Sequence, residues 1–175
     1  MIVKTATITL YKFNELPSEQ AKDRAREIGR QWVSEDPAWG AKSLESVKVF
    51  CEFFGVKLKT WEVGAYSPFH FSTDAENRHF RGRRLRDFDR DHMPTGYCLD
   101  NNLWATFYDE FKKIGDAKTA FNEALHAGFK AWRDDLEYQL DDESIDEFLT
   151  TNEYEFDEYG NFSNRSNDRE NHGRT

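Results

Sequence analysis

Residues 151–162 read TNEYEFDEYGNF, and this short stretch decides how the chain closes on itself. Tyr154 and Phe156 alternate with acidic residues, a pattern typical of a half-buried β-strand. The remainder of the stretch predicts a turn and a second short strand. We expect the first of these strands to pair with the strand that begins the chain, so that the two ends of the fold meet.

The beginning of the chain predicts that partner strand. Residues 2–13 alternate between two faces and are rich in β-branched side chains, which favours a β-strand. Tyr11 and Phe13 end this strand, and Leu16 is placed to pack against the start of the following helix. One face carries Ala6, Ile8 and Leu10, and the other carries Thr5, Thr7, Thr9 and Tyr11.

Two helices are predicted next. Pro17 and Ser18 are typical of the first residues of a helix, and apolar residues then recur at helical spacing as far as Trp32. A second helix is expected over residues 43–54, with Gly55 as its stop signal.

The middle of the chain predicts strands before helices return. Residues 56–63 and 67–73 alternate like two strands, and residues 78–85 offer one more. Helical periodicity then runs over residues 103–114 and again, in a long helix, over residues 121–140.

The order of these elements favours an α+β fold, in which an antiparallel or mixed sheet holding the N- and C-terminal strands packs against several helices. Asp142 or Ser144 is expected to cap a third, short helix in the C-terminal part of the chain. We predict one domain over residues 1–162 and a disordered polar tail over residues 163–175.

Composition indicates a folded protein without a membrane span. The 175 residues include fifteen Phe and five Trp, enough for a large core, and no stretch approaches the roughly 20 apolar residues that a bilayer requires. The N-terminus lacks a signal-peptide pattern. Cys51, on an apolar helix stripe, and Cys98, in an expected loop, are interpreted as reduced thiols. These features predict a cytoplasmic location.

Two segments resemble a known family. YKFNELPSEQAKDRARE (11–27) resembles the opening Y-x-F-x-E-L-S-x-E-A-K-x-K-A of a family of small, uncharacterised bacteriophage and prophage proteins. TNEYEFDEYGNF resembles the closing A-N-E-Y-E-F-T-E-D-G of the same family. The chain departs from the pattern at Pro17, at Gln20 and at residues 158–160.

The resemblance implies a phage origin and supplies no catalytic residue. Phage accessory proteins of this size often bind and disable host machinery, including defence systems. The expected partner is therefore a host protein, with a nucleic-acid-binding defence complex of the CRISPR type as one class. The sequence leaves the oligomeric state open.

Motifs for catalysis, cofactors and metals are missing from the sequence. There is no glycine-rich phosphate loop, and no histidine or cysteine spacing matches a metal site. The alternative function is a metal-dependent enzyme centred on His70, Asp74 and His79, but His70 lies in an alternating segment, which favours an ordinary sheet position. We expect no cofactor and no metal, and the sequence favours a non-enzymatic protein over an enzyme.

The C-terminal third is strongly acidic in a chain whose net charge is -9. One interpretation is a solvated helix face followed by a turn. The other is a surface that imitates a phosphate array and occupies the basic groove of a nucleic-acid-binding protein. The candidate partner-binding residues are Asp134, Asp135, Glu137, Asp141, Asp142, Glu143, Asp146 and Glu147.

A basic segment, Arg78–Arg90, precedes the acidic C-terminal third of the chain. If it forms a strand, its arginines divide between two faces, and the aspartates at its C-terminal end cancel part of its charge. It is interpreted as a charged surface loop, as a second docking site or as a small nucleic-acid-binding element, although the net negative charge disfavours direct nucleic-acid binding. The secondary partner-binding candidates are Arg81, Arg83, Arg84 and Arg86.

Overall fold

A computed structural model describes residues 9–36, 38–77, 80 and 89–163. The described chain forms an α+β fold, as predicted, with two antiparallel sheets of two strands each. The helices are α1 (Glu19–Glu35), α2 (Ala41–Phe53), α3 (Cys98–Ile114), α4 (Ala117–Gln139) and α5 (Asp142–Thr151). The strands are β1 (Tyr11–Lys12), β2 (Leu58–Glu62), β3 (His70–Thr73) and β4 (Glu155–Phe156). Short 3-10 helices lie at Phe13–Glu15 and Ala75–Asn77.

The two ends of the fold meet, as the TNEYEFDEYGNF stretch predicts. β1 pairs with β4 in antiparallel fashion, with Tyr11 opposite Phe156, and an isolated bridge joins Phe156 to Phe162. The strand β1 ends at Lys12 because the chain then turns into the 3-10 helix that buries Phe13. The part of the predicted first strand before residue 9 lies outside the described residues.

The contacts divide the chain into two compact units. Unit 1 consists of residues 1–36 and 139–175, and unit 2 of residues 37–138. The expectation of a single domain over residues 1–162 stays a prediction. The polar tail after Ser163 and the strand predicted over residues 78–85 lie outside the described residues, apart from Phe80.

Unit 1 is built on the packing of α1 against α5. Ser18 caps α1, since its Oγ accepts a hydrogen bond from the Ala21 N–H at 3.1 Å. Gly29 of α1 lets the two helices approach closely, because a Cβ at this position would lie 3.0 Å from Ile145 Cγ2. Trp32 packs against the rings of Tyr154 and Phe162.

The prediction of the cap of α5 was wrong by one residue. Asp141 is the N-cap, and its carboxylate accepts a hydrogen bond from the Ser144 N–H at 2.7 Å. A cap residue accepts from the backbone N–H two or three positions later, so Asp142 and Ser144 already lie inside the helix.

Unit 2 is built on a large aromatic core. Phe50 of α2 stacks on Phe121 of α4 with ring centroids 5.4 Å apart, and it meets Trp104 of α3 edge to face. Strands β2 and β3, both predicted as strands, pair in antiparallel fashion, and Phe71 of β3 stacks on Phe129 of α4 with ring centroids 4.6 Å apart. The apolar stripe predicted for the long helix is confirmed at Phe121, Leu125, Trp132 and Leu136, which are buried. The helix ends at Gln139, one residue before the predicted end at Leu140.

Candidate partner-binding surface

The eight acidic candidates fall in both units. Asp134, Asp135 and Glu137 lie near the C-terminal end of α4 in unit 2. The other five lie in unit 1, where Asp141 caps α5 and the rest are on that helix.

The acidic side chains of α4 have partners within unit 2. Asp134 accepts hydrogen bonds from Lys130 at 2.6 Å and from Arg133 at 3.0 Å, and the Lys130 bond is the main cause that lowers its pKa. Glu137 lies 3.3 Å from Arg133 Nε. Lys130 and Arg133 therefore offset two of the negative charges at this end of α4.

Asp135 has a role in holding Tyr97. Its carboxylate accepts a hydrogen bond from the Tyr97 hydroxyl at 3.0 Å. Burial, followed by this bond to Asp135, raises the pKa of Tyr97 to about 12. The phenol therefore stays protonated near neutral pH and keeps donating to Asp135.

In unit 1, Arg26 of α1 donates hydrogen bonds to three carboxylates. Its Nε and Nη2 donate to the two oxygens of Asp146 on α5, at 2.7 and 2.8 Å. Its Nη1 donates to Glu19 at 2.7 Å and to Asp23 at 2.9 Å. The Arg26 side chain is only 12% exposed. The hydrogen bond to Asp146 is the largest cause that raises the pKa of Arg26 above its ordinary value.

The remaining acidic residues of α5 differ in whether they have ion-pair partners. Arg30 pairs with Asp142 and also donates to the carbonyl of Leu140 at 2.9 Å. Glu143 and Glu147 are exposed, lie one turn apart and have no hydrogen-bond or ion-pair partner within the described chain.

These contacts define one acidic surface in unit 1, called here the α1–α5 acidic face. Sequence reasoning missed the contribution of α1, because it followed the contiguous acidic run near the C-terminus. The spacing of Glu19, Asp23 and Arg26 at i, i+4 and i+7 was the signal that places them on one helix face. The α1–α5 acidic face comprises Glu19, Asp23 and Asp146, which bind Arg26, then Asp142, which binds Arg30, and the exposed Glu143 and Glu147, which follow Asp142 and Asp146 on α5.

The secondary candidates, Arg81, Arg83, Arg84 and Arg86, lie outside the described residues. The last arginine of the basic segment, Arg90, is described. It donates to Asp109 of α3 at 3.2 and 3.1 Å and to Asp91 at 3.3 Å. Arg90 is therefore paired within unit 2.

The alternative metal site has no support among the residues that the structure places. His70 occupies an exposed position in β3 opposite Glu62, which confirms its predicted sheet position. Asp74 accepts a hydrogen bond from the Lys57 N–H at 2.7 Å, and His79 lies outside the described residues. Within the described ranges, no group of three or more His, Cys, Asp or Glu side chains is arranged to hold a metal ion.

The two cysteines differ in environment. Cys51 is buried on α2, as predicted, at a pocket of about 250 Å³. Burial, assisted by Asp74 and Glu52, raises the pKa of its thiol to about 12, so it is not a nucleophile at neutral pH. Cys98 is exposed, but it is the first residue of α3 and not part of a loop as predicted. The helix begins there because Tyr97 is still extended, as an N-cap residue is.

None of the helices in the described ranges has both the length and the apolar character that crossing a bilayer requires. Comparisons of the chain with protein-family models, with curated proteins and with solved structures give no match.

Proposed function

We propose that this chain is a non-enzymatic accessory protein of a bacteriophage that binds and inhibits a host protein in the bacterial cytoplasm. The target class that we infer is a nucleic-acid-binding defence complex, such as a CRISPR effector, whose basic groove receives an acidic surface. The observation that carries the proposal is the α1–α5 acidic face.

The charge balance of this face favours a basic partner. It has six carboxylates, and the basic side chains in the same stretch of α1 are four: Lys22, Arg24, Arg26 and Arg30. The net charge of this surface is therefore negative even after its internal ion pairs are counted. Such a surface steers a positively charged partner and raises the association rate.

The arrangement is also fixed before any partner arrives. Arg26 is largely buried and makes four hydrogen bonds to carboxylates of two helices, so Glu19, Asp23 and Asp146 are held in place. A preorganised surface loses less side-chain entropy on binding than a flexible one does.

Glu143 and Glu147 provide a clean test of the interaction. Both are exposed and make no internal ion pair within the described chain, so replacing them leaves the α1–α5 packing intact. Glu45 and Glu123 are exposed glutamates of unit 2 and give a matched control with the same change in net charge.

The experiment expresses the chain in a bacterial host that carries an active CRISPR system and measures phage plaquing. We expect the wild-type chain and the Glu45→Lys/Glu123→Lys variant to restore plaquing. We expect Glu143→Lys/Glu147→Lys to restore it far less, because two like charges then oppose the basic groove. The proposal is contradicted if the wild-type chain does not restore plaquing. It is also contradicted if Glu143→Lys/Glu147→Lys restores plaquing as fully as the wild-type chain does.

A further inference from the structure

The turn over residues 157–161 in unit 1 is held by hydrogen bonds within the turn. Asp157 Oδ1 accepts hydrogen bonds from the N–H groups of Tyr159 and Asn161, both at 2.9 Å. The backbone closes the turn with two further bonds, from Asp157 N–H to the Asn161 carbonyl at 2.9 Å and from Gly160 N–H to the Asp157 carbonyl at 3.0 Å. Its conformation is therefore fixed by four hydrogen bonds that do not depend on the side chain of Tyr159.

The same turn is held against α1. Gly160 has a φ of 83°, in the left-handed region, and a Cβ at this position would lie 2.0 Å from the backbone oxygen of Ala21. Only glycine allows this approach. This close approach fixes where the tip of the turn, Glu158 and Tyr159, lies relative to the helix.

Tyr159 is exposed, although the other aromatic residues nearby are packed. Tyr154 and Phe162 contact Trp32, and Phe156 is fully buried. Tyr159 is 69% exposed, and it is the only exposed large hydrophobic residue among the described residues of unit 1. A rigid turn thus presents one aromatic ring to solvent, which is the form that binding hot spots often take.

The surroundings of this ring are acidic. Among the described residues within six positions of it along the chain, four are acidic and none is basic: Glu153, Glu155, Asp157 and Glu158. Two basic side chains of unit 1 have acidic partners: Lys12 lies 3.7 Å from Glu155, and Arg24 lies 2.7 Å from Glu27. The charge around the tip therefore favours a cationic group on the partner.

We propose that Tyr159 and Glu158 form a recognition site for an arginine side chain of the basic partner protein. This inference rests on the proposed function and names the residue type that the partner presents. A guanidinium group stacks flat on an aromatic ring, and its planar fork matches a carboxylate. A lysine ammonium makes the charge interaction but not the stacked and forked contact.

The geometry of Glu158 suits this arrangement. Glu158 directly precedes Tyr159 at the tip of the turn, and both side chains are exposed. The two oxygens of its carboxylate can both accept hydrogen bonds from a guanidinium group. Neighbouring positions at the tip therefore offer the ring and the acid to one ligand group.

The test uses two peptides of equal length and charge as probes, one rich in arginine and one rich in lysine. Their affinities for the full chain are measured by calorimetric titration at low salt. We expect the arginine peptide to bind more tightly than the lysine peptide by about two- to threefold, because a guanidinium group adds stacking and a forked hydrogen bond to the cation–π attraction that an ammonium group also makes. Tyr159→Ala should remove this preference, and Tyr159→Phe should retain most of it because the ring remains.

Two controls separate this inference from the proposed function. Tyr138→Ala removes an equally exposed tyrosine of unit 2, which is 67% exposed, and should leave the preference unchanged. Glu143→Lys/Glu147→Lys should weaken both peptides alike and leave their ratio unchanged. Equal affinity of the wild-type chain for the two peptides, or an unchanged ratio in Tyr159→Ala, overturns the arginine site. Failure of the proposed function would instead appear in the plaquing experiment, as Glu143→Lys/Glu147→Lys restoring plaquing as fully as the wild-type chain does.

Discussion

Asp157 couples the stability of the terminal turn to protonation. Burial raises the pKa of its carboxyl group, but hydrogen bonds from Asn161, Tyr159 and Gly160 outweigh burial and lower the pKa below its ordinary value. A group whose pKa is lower in the folded than in the unfolded state stabilises the fold above its unfolded pKa. That contribution is lost as the pH falls through the lowered, folded pKa.

We therefore predict that Asp157→Asn, which has similar shape and no ionisable group, is less stable than the wild type at pH 7 by about 1 kcal/mol. The difference should begin to shrink below about pH 5 and disappear once the wild-type carboxyl is protonated. Urea unfolding of both proteins over this pH range measures it. A difference that stays constant down to strongly acidic pH would show that the charge of Asp157 does not stabilise the turn.

At the scale of elements, α1 and α5 are joined by one arginine. Arg26 binds Asp146 through two parallel hydrogen bonds, a geometry that lysine cannot reproduce. Arg24 is on the same helix but is 53% exposed and pairs with Glu27 three residues later. The same substitution at these two positions thus compares an interhelical with a local ion pair.

Arg26→Lys should lower the free energy of unfolding by about 1–2 kcal/mol, because one or more charge-assisted bonds are lost at a largely buried position. Arg24→Lys should change it by less than about 0.5 kcal/mol, as is usual for an exposed pair. Chemical denaturation of the two variants gives both values. Equal effects of the two substitutions would mean that the Arg26–Asp146 pair does not stabilise α1 against α5.

The periodicity of the sequence predicted the elements well, because apolar spacing reports directly on which side of a helix is buried. The stripe of α4 and the strands β2 and β3 follow from it. The ends of elements were less predictable, because capping depends on which hydroxyl or carboxylate reaches a backbone N–H. The starts of α3 at Cys98 and of α5 after Asp141 are examples.

The candidate surface was predictable only in part. The acidic residues of α5 stand out in the sequence, but their ion-pair partners are on α1, more than a hundred residues earlier. The spacing of Glu19, Asp23 and Arg26 places them on one helix face, but no local pattern reveals that Arg26 also binds Asp146. The i, i+4 spacing of Lys130 with Asp134 and of Arg133 with Glu137 permits these pairs, but the sequence alone does not show that they form.

At the scale of the whole molecule, the division into two units raises the question of whether they unfold together. Unit 1 combines both ends of the chain, and unit 2 is the continuous segment between them. The sequence predicts that residues 1–162 unfold as one domain. We therefore expect amides of α1 and α5 to exchange hydrogen with the same maximal opening free energy as amides of α2 and α4.

Hydrogen exchange measured by mass spectrometry in increasing denaturant tests this expectation, since each peptide reports on its own unit. Coincident transitions are the predicted result. Two separate transitions, one for α1 and α5 and one for α2, α3 and α4, would instead identify two domains.

The pairing of β1 with β4 also sets an order of events during synthesis. Residues 37–138 emerge from the ribosome as one uninterrupted segment, so unit 2 has all of its helices before α5 and β4 are made. β1 and α1 are synthesised first but must wait for partners that lie more than a hundred residues later. Unit 1 is therefore the last part to form, and a chain truncated before Asp142 leaves α1 without the helix that covers it.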